Sequence, residues 1–122
     1  MEKTLKNALI SSCNIVMKEG SLTGADTLVL EIEFCGECLS KKVSYVLSTI
    51  NLDYDDKWVV NDIGMSLIPL IMKTVYADSF EDISGRYCRI TLDESGNVSD
   101  LYNIIHSDDF VNLYDSFEVY NQ

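Results

Sequence analysis

Basic residues are scarce in this sequence, which has nine Lys and Arg against 20 Asp and Glu in 122 residues. The formal net charge at pH 7 is −11. Proteins that bind the phosphate backbone of DNA or RNA do so through clustered Lys and Arg, so this composition excludes direct, non-specific nucleic-acid binding. A protein with a basic surface is the partner that such a chain attracts by charge.

Long apolar runs are also absent. The longest nearly uncharged stretch, residues 63–72, is about half as long as the roughly 20 residues that cross a bilayer. Near the N-terminus Ser11, Ser12 and Asn14 interrupt the apolar residues, which predicts no signal peptide and no membrane segment. Hydrophobic residues make up 47% of the chain, enough for a single globular domain over residues 1–122.

The residue patterns that mark enzymes and cofactor sites are missing as well. The six glycines are dispersed, so there is no phosphate-binding loop and no dinucleotide fingerprint. His106 is the one histidine, and no serine or cysteine lies in a nucleophile motif. The aspartates at 53, 55 and 56 lack the glycine and the closing glutamate of a calcium loop. We therefore expect no enzymatic activity, no cofactor and no calcium.

Cysteine supplies the one motif with a chemical meaning. Cys35 and Cys38 are spaced as C-x-x-C, but a structural zinc site needs four ligands and usually a second pair. Cys13 and Cys88 are single residues that strand alternation assigns to the core. A metal-binding or small-ligand module at Cys35 and Cys38 is kept as an alternative function. Without a secretion signal, four cysteines are typical of reduced thiols, which predicts a cytoplasmic protein.

The first half of the chain alternates between apolar and polar residues with a period of two, the pattern of half-buried strands. A break at Gly36 predicts a hairpin between the second and third strands. The positions expected to point inward are Cys13, Ile15 and Met17, then Leu28, Leu30, Ile32 and Phe34, then Val43, Tyr45 and Leu47. Three successive antiparallel strands of this kind form a meander.

A helix is predicted after Asn61 or Asp62, either of which can cap it. Apolar residues then recur at spacings of three and four, at Ile63, Leu67, Leu70, Ile71 and Val75. Pro69 lies within this stripe, so the helix is either kinked or begins again at Ser66. A short helical turn capped by Ser79 and ended by Gly85 follows it.

Strands over residues 86–92 and 98–105, joined by a loop at 93–97, predict a second hairpin. Residues 50–60 are assigned to a loop with strand tendency, and the tail at 106–122 carries enough apolar residues to dock on the domain. The predicted fold is therefore α+β, with an antiparallel sheet of about five strands (meander, helix, hairpin) and one main helix packed on it.

Negative charge is concentrated in the second half of the chain. Residues 1–50 contain five Lys and six Asp or Glu, a net of −1, whereas residues 51–122 contain four Lys or Arg and fourteen Asp or Glu, a net of −10. Two interpretations stay open, a solvated surface and a face that docks on a basic partner. The residues that we assign to such a face are Asp93, Glu94, Asp100, Asp108, Asp109, Phe110 and Asp115.

One segment resembles a group of small phage and prophage proteins. Residues 76–90, continued by 96–98 and 103–110, are similar to the pattern S-W-E-D-L-x-G-x-Y-x-R-V … G-x-V … I-x-N-I-I-x-D-x-W-F. Phe80 stands at the position of the first tryptophan, Ile83 at that of the leucine, and Phe110 keeps the closing aromatic residue. The resemblance covers about a third of the chain and brings no catalytic residues.

This resemblance implies a phage-associated accessory protein. Small acidic phage proteins without catalytic motifs include inhibitors of host defence, among them anti-CRISPR proteins that occupy the basic nucleic-acid channel of an effector. Together with the charge distribution, it predicts a non-enzymatic protein, acting in the host cytoplasm, whose acidic surface blocks a basic host protein as an anti-CRISPR or nucleic-acid mimic would.

Overall fold

In the part of the chain that the structure describes, two groups of strands flank one α-helix. The computed structural model describes residues 5–19, 26–36, 39–51 and 57–113. The strands are β1 (Leu5–Lys18), β2 (Thr27–Gly36), β3 (Leu39–Asn51), β4 (Lys57–Val60), β5 (Tyr87–Leu92), β6 (Val98–Asn103) and β7 (Phe110–Asn112). The helix α1 covers Asp62–Val75, and a 3₁₀ turn covers Phe80–Asp82.

All the described strands belong to one antiparallel sheet, in the order β4-β3-β2-β1-β5-β6-β7. The α+β class with one main helix is confirmed. The prediction of about five strands is wrong, because the described residues form seven. The two additions are the edges: β4 lies in the segment assigned to a loop with strand tendency, and β7 lies in the tail that was expected to dock.

β1 is longer than predicted and contains a bulge. The register with β2 shifts between Ile10 and Ser12, so Ile10 and Cys13 both reach the core although they are three positions apart, an odd offset that regular alternation would place on opposite faces. The expectation that Ile15 and Met17 are buried is wrong, since both side chains are about half exposed. The helix packs against β3, β6 and β7 and does not cover this end of the strand.

The third strand and most of the second follow their predicted alternation, but a register shift between Leu28 and Val29 leaves Leu28, which was expected inside, only partly buried and buries Val29 instead. Leu30, Ile32 and Phe34 of β2 are buried. The hairpin at the glycine is confirmed, since β2 ends opposite the start of β3 with Gly36 aligned to Leu39. The inward residues of β3 are also buried, namely Val43, Tyr45 and Leu47.

The helix begins as expected at Asn61, whose side-chain oxygen accepts the backbone N–H of Gly64 at 2.9 Å. It does not restart at Ser66 but continues through Pro69 to Val75. Gly64 lies directly against β3, because a Cβ at this position would stand 1.8 Å from the carbonyl oxygen of Val46. Glycine here is what allows the helix to approach the sheet so closely.

Only part of the predicted apolar stripe of α1 is buried. Leu67, Ile71 and Val75 join the core, and each buried aliphatic side chain of this size stabilises the fold by about 1.5–3 kcal/mol. Ile63 and Leu70 are about half exposed, which corrects the expectation that the whole stripe is covered. They lie on the flank of the helix that faces β7.

The connection from α1 to β5 contains the predicted turn, in 3₁₀ form. Ser79 precedes it, but its side chain makes no capping hydrogen bond. Gly85 has φ of 93°, a conformation that favours glycine, and its N–H donates to the carbonyl of Ile10 at 2.8 Å. No helix in the described part of the chain is long and apolar enough to cross a membrane.

Candidate functional site

Four of the carboxylates predicted to form one acidic face are divided between the two ends of β6. Asp93 and the exposed Glu94 lie in the loop before β6, the 93–97 hairpin, whereas Asp108 and Asp109 lie after it in the 104–109 turn. β6 has six residues, and a strand of that length extends about 20 Å. The structure therefore presents two separate acidic turns.

In the 93–97 hairpin the first carboxylate organises its own loop. The Oδ1 atom of Asp93 accepts the backbone N–H groups of Ser95 and Asn97, both at 2.9 Å. Gly96, with φ of 85°, completes the turn by donating to the Asp93 carbonyl at 3.0 Å. The ammonium group of Lys41 reaches this hairpin, 3.5 Å from where a Cβ on Gly96 would lie. The negative charge of Asp93 is thus directed largely at the N–H groups of its own loop.

Asp100, in the middle of β6, is not on the surface. Its side chain is 7% exposed, which corrects the expectation that it contributes to an exposed acidic face. Thr91 donates its hydroxyl to the Asp100 carboxylate at 3.0 Å, and the backbone N–H of Asp100 donates back to that hydroxyl at 3.1 Å. These hydrogen bonds compensate for the loss of water around a buried polar group.

The 104–109 turn is held by the buried side chain of Asn103. Its Nδ2 donates to the carbonyl of Thr74 at the end of α1, at 2.8 Å. Its Oδ1 accepts the backbone N–H groups of Ile105 and His106, each at 2.9 Å. The backbone N–H of Asn103 in turn donates to the carbonyl of Asp109 at 2.9 Å. One side chain therefore fixes the turn to the C-terminal end of the helix.

Tyr76 supports the same turn from the helix side. It ends α1 in the left-handed region, with φ of 59° and ψ of 42°, a conformation that costs a non-glycine residue about 1–2 kcal/mol. Its hydroxyl donates to the Asp109 carboxylate, and its ring centroid lies 5.8 Å from that of His106. The hydrogen bond to Asp109 raises the pKa of the Tyr76 phenol, with smaller contributions from desolvation and from the carboxylate charge. These contacts explain why tyrosine occupies a position that favours glycine.

A concavity of about 510 Å³ opens beside the turn. Its exposed lining side chains include Tyr76, Tyr87, Ile105 and His106. Tyr87 and Ile105 are 66% and 77% exposed, high fractions for large side chains, which marks them as available for contact. Arg86 also lines this space, and its Nε donates to the Asp82 carbonyl at 3.0 Å.

Phe110 directly follows the turn and lies at the surface, as predicted for a residue of the binding face. Its ring stacks on that of Tyr102 with centroids 5.3 Å apart, and the residue is 55% exposed. A second concavity, of about 480 Å³, lies on its other side between α1 and β7, where Ile63 and Leu70 are half exposed. The 104–109 turn thus connects two concave, largely apolar surfaces.

In the first half of the chain, by contrast, an acidic side chain is paired with two lysines. Glu31 on β2 lies 3.2 Å from the ammonium of Lys18 and 3.4 Å from that of Lys42. Partial burial acts to raise the pKa of the Glu31 carboxyl, but the hydrogen bonds and charges of the two lysines outweigh it and lower the pKa. The charge of Glu31 is therefore neutralised by two lysines, whereas no Lys or Arg follows Arg89 in the sequence.

The cysteines give no support to a metal site among the described residues. Cys38 lies outside them, and Cys35 donates its thiol to the Ser11 hydroxyl at 3.3 Å beside a concavity of about 600 Å³. Burial raises the pKa of Cys13 to about 11 and that of Cys88 to about 12, so both stay protonated at neutral pH. Within the described part of the chain, no three His, Cys, Asp or Glu side chains are placed to hold a metal ion.

Several residues that shape the site were missed by sequence reasoning. Asn103 carries a usable signal, because an asparagine just before a turn often bonds to backbone N–H groups two or three residues later. Tyr76 and Ile105 carry no such signal, since their exposure follows from how α1 meets β6. Asp115, the last predicted site residue, lies outside the described residues.

Comparison with known proteins adds no relative. No protein-family model matches this chain, and neither a curated protein nor a solved structure matches it significantly. The functional argument therefore depends on the 104–109 turn and its surroundings.

Proposed function

We propose that this protein is a non-enzymatic binding protein that recognises a basic surface on a partner protein through the 104–109 turn and Phe110. The observation that carries the proposal is how the turn is held: Asn103 and Tyr76 fix it. The exposed Asp108 lies in the segment between His106, which lines one concavity, and Phe110, which lines the other. Protein interfaces combine such a central aromatic and apolar anchor with a polar rim that steers association.

The partner class follows from charge and from the resemblance. Carboxylates on a chain of net charge −11 attract Lys and Arg on another protein. The similarity of residues 76–90, 96–98 and 103–110 to phage and prophage proteins supports a bacterial host protein, including a defence protein, as that partner. Because Asp93 and Glu94 lie in one turn and Asp108 and Asp109 in another, the proposal is for a compact acidic site and not for an extended row of phosphate-like charges.

Two double variants of equal charge test the proposal. Asp108→Asn with Asp109→Asn, and Asp93→Asn with Glu94→Gln, each remove two negative charges and keep an acceptor oxygen at every position, so a difference between them does not come from net charge. Each variant and the wild type are immobilised and exposed to a bacterial lysate at low and at high salt, and the retained proteins are quantified by mass spectrometry. We expect the 108/109 variant to lose a partner that the 93/94 variant keeps, and high salt to release that partner from the wild type.

Phe110→Ala tests the aromatic anchor in the same assay. Truncating a central aromatic anchor typically weakens binding by about 2 kcal/mol or more, which is about thirtyfold in Kd. Equal losses in the two charge variants would contradict a site at the turn, and retention that does not change with salt would contradict recognition by charge.

A further inference from the structure

A concavity of about 600 Å³ lies where β1 separates from β2. The two strands pair as far as Leu9 opposite Cys35, whereas residues 5–8 of β1 pair with β5 alone among the described strands. Gly36 lines the concavity, and a Cβ on it would stand 2.8 Å from the carbonyl oxygen of Asn7. Glycine therefore lets the end of β2 lie against β1. The volume is within the range of about 300–1,000 Å³ that small-molecule sites occupy.

Several side chains in and beside the concavity lie on the face of the sheet that points away from the core. Ala8 of β1 and Cys88 of β5 lie opposite each other, and both are buried. Because side chains alternate along a strand, their neighbours project from the other face. Those neighbours, with the residue of β2 that is aligned to them, are Asn7, Leu9, Tyr87, Arg89 and Cys35. Polar and apolar groups thus lie side by side at an accessible surface.

Two basic side chains at this place have no acidic partner among the described residues. Lys6 is exposed and lines the concavity. The Nε atom of Arg89 donates to the Oδ1 atom of Asn7 at 3.1 Å, so a neutral amide and not a carboxylate orients this guanidinium. The ion pairs between described side chains are those of Glu31 with two other lysines. In a chain with nine basic and 20 acidic residues, two cations without acidic partners mark a place that attracts an anion.

We propose that this concavity binds a small organic anion, a carboxylate attached to an apolar body the size of one ring. Lys6 lines the space and Arg89 adjoins it through Asn7, and both donate charge-assisted hydrogen bonds that suit a carboxylate. Tyr87, Leu9 and Leu39 line the same space and suit an apolar body. The net charge of −11 repels anions over the rest of the surface, so binding depends on these two cations and is weak.

The first test uses 4-fluorobenzoate as the probe, followed by fluorine NMR during titration with the wild-type protein. We expect saturable binding, with a Kd on the order of 1 mM for so small a molecule. The matched control is 4-fluorobenzamide, which keeps the ring and removes the charge. It should bind at least about tenfold more weakly, because it cannot form the charge-assisted hydrogen bonds. Equal affinity for the two molecules, or no saturable binding of the carboxylate, would overturn the proposal.

Two double variants of equal charge locate the binding. Lys6→Gln with Arg89→Gln removes the two cations at the concavity, whereas Lys18→Gln with Lys73→Gln removes two cations elsewhere. We expect the first variant to bind 4-fluorobenzoate at least about tenfold more weakly than the wild type, and the second to change the Kd by less than about twofold. Circular dichroism confirms that each variant is folded. Similar losses in the two variants would place the binding outside the concavity.

Cys35 provides a second measurement, which needs no variant. The residue is half-buried and lines the concavity, so a bound molecule covers its thiol. Alkylation by iodoacetamide, measured at Cys35 by mass spectrometry, should slow several-fold in 4-fluorobenzoate and should not change in 4-fluorobenzamide. Cys13 and Cys88 are buried and should react slowly under every condition, which verifies that the protein stays folded. Alkylation of Cys35 that is unchanged at saturating carboxylate would contradict binding in this concavity.

This site and the proposed protein-binding site fail separately. The variant at Lys6 and Arg89 keeps the 104–109 turn and should retain partner capture. The variant at Asp108 and Asp109 should bind 4-fluorobenzoate as the wild type does. Tyr87 borders both this concavity and the one beside the turn, so neither test substitutes it.

Discussion

The two turns at the ends of β6 are both acidic, but different kinds of side chain hold them in place. In the 93–97 hairpin, Asp93 accepts two backbone N–H groups of its own loop. In the 104–109 turn that task falls to the buried Asn103, which leaves Asp108 exposed. A carboxylate that closes its own loop has little of its charge available to a partner, whereas one on a loop closed by another residue keeps it. The position of a charge in the sequence is thus a poor guide to its availability.

The largest effect is expected at the residue that holds the 104–109 turn. Asn103→Ala removes three side-chain hydrogen bonds from a buried position and leaves the Thr74 carbonyl and two N–H groups without these partners. We expect a loss of about 3 kcal/mol in the free energy of unfolding, measured by urea denaturation. Asn97→Ala is the control, since the exposed Asn97 contributes its backbone N–H to the other turn. Similar losses in the two variants would show that Asn103 is not the anchor.

The next effect is expected in the 93–97 hairpin. Asp93→Ala removes the acceptor of two backbone hydrogen bonds and should lower stability by about 1 kcal/mol. Asp93→Asn keeps an acceptor oxygen and should recover most of that loss, while Glu94→Ala, at an exposed position, should change stability by less than about 0.5 kcal/mol. If Asp93→Asn were as unstable as Asp93→Ala, charge and not the loop hydrogen bonds would be responsible.

The contact between Tyr76 and Asp109 makes the 104–109 turn sensitive to alkaline pH. Because the pKa of the phenol is raised in the folded state, the contact is fully present below the ordinary phenol pKa of about 10 and is lost as pH rises through the raised value. Subtracting the ultraviolet titration of Tyr76→Phe from that of the wild type isolates this phenol. In an Asp109→Asn background the same difference should move to lower pH, and an unmoved titration would exclude the hydrogen bond.

The smallest effect on stability is expected at Asp108. Its exposed carboxylate takes no part in holding the turn, so Asp108→Asn should change the free energy of unfolding by less than about 0.5 kcal/mol, by thermal or urea denaturation. Its effect on partner capture should nevertheless exceed that of Asp93→Asn. A large loss of stability in Asp108→Asn would place this residue in the architecture of the turn instead of in the interface.

Much of the fold could be predicted because its signals are local. The alternation at Leu30, Ile32 and Phe34 defines a strand with one apolar face, and Asn61 marks the start of the helix. The bulge after Ile10 could not be read in this way, since it depends on how β1 aligns with β2. The exposure of Ile15 also depends on residues far away in the chain. Periodicity shows which residues of a strand share a face, but not how much of that face the helix covers.

The site was predictable only in part. Phe110 and Asp108 are both exposed and lie two positions apart in the chain, as the sequence analysis requires of a binding face. Asp100 carries the same charge in the same half of the chain, yet Thr91, across the pair of strands, provides the hydrogen bonds that allow its burial. No pattern within β6 alone reveals that partner.

The sequence by itself determined the α+β class, the main helix, the strand pairs joined by short turns, and the strongly negative second half. Each of these depends on residues close together in the chain, through periodicity, capping and net charge. The tertiary structure alone decided that the seven described strands form one sheet with β4 and β7 at the ends of their order, and that acidic residues lie in two turns with different roles. Those properties depend on which distant segments meet, and burial and hydrogen bonding there are set by the neighbour across the sheet.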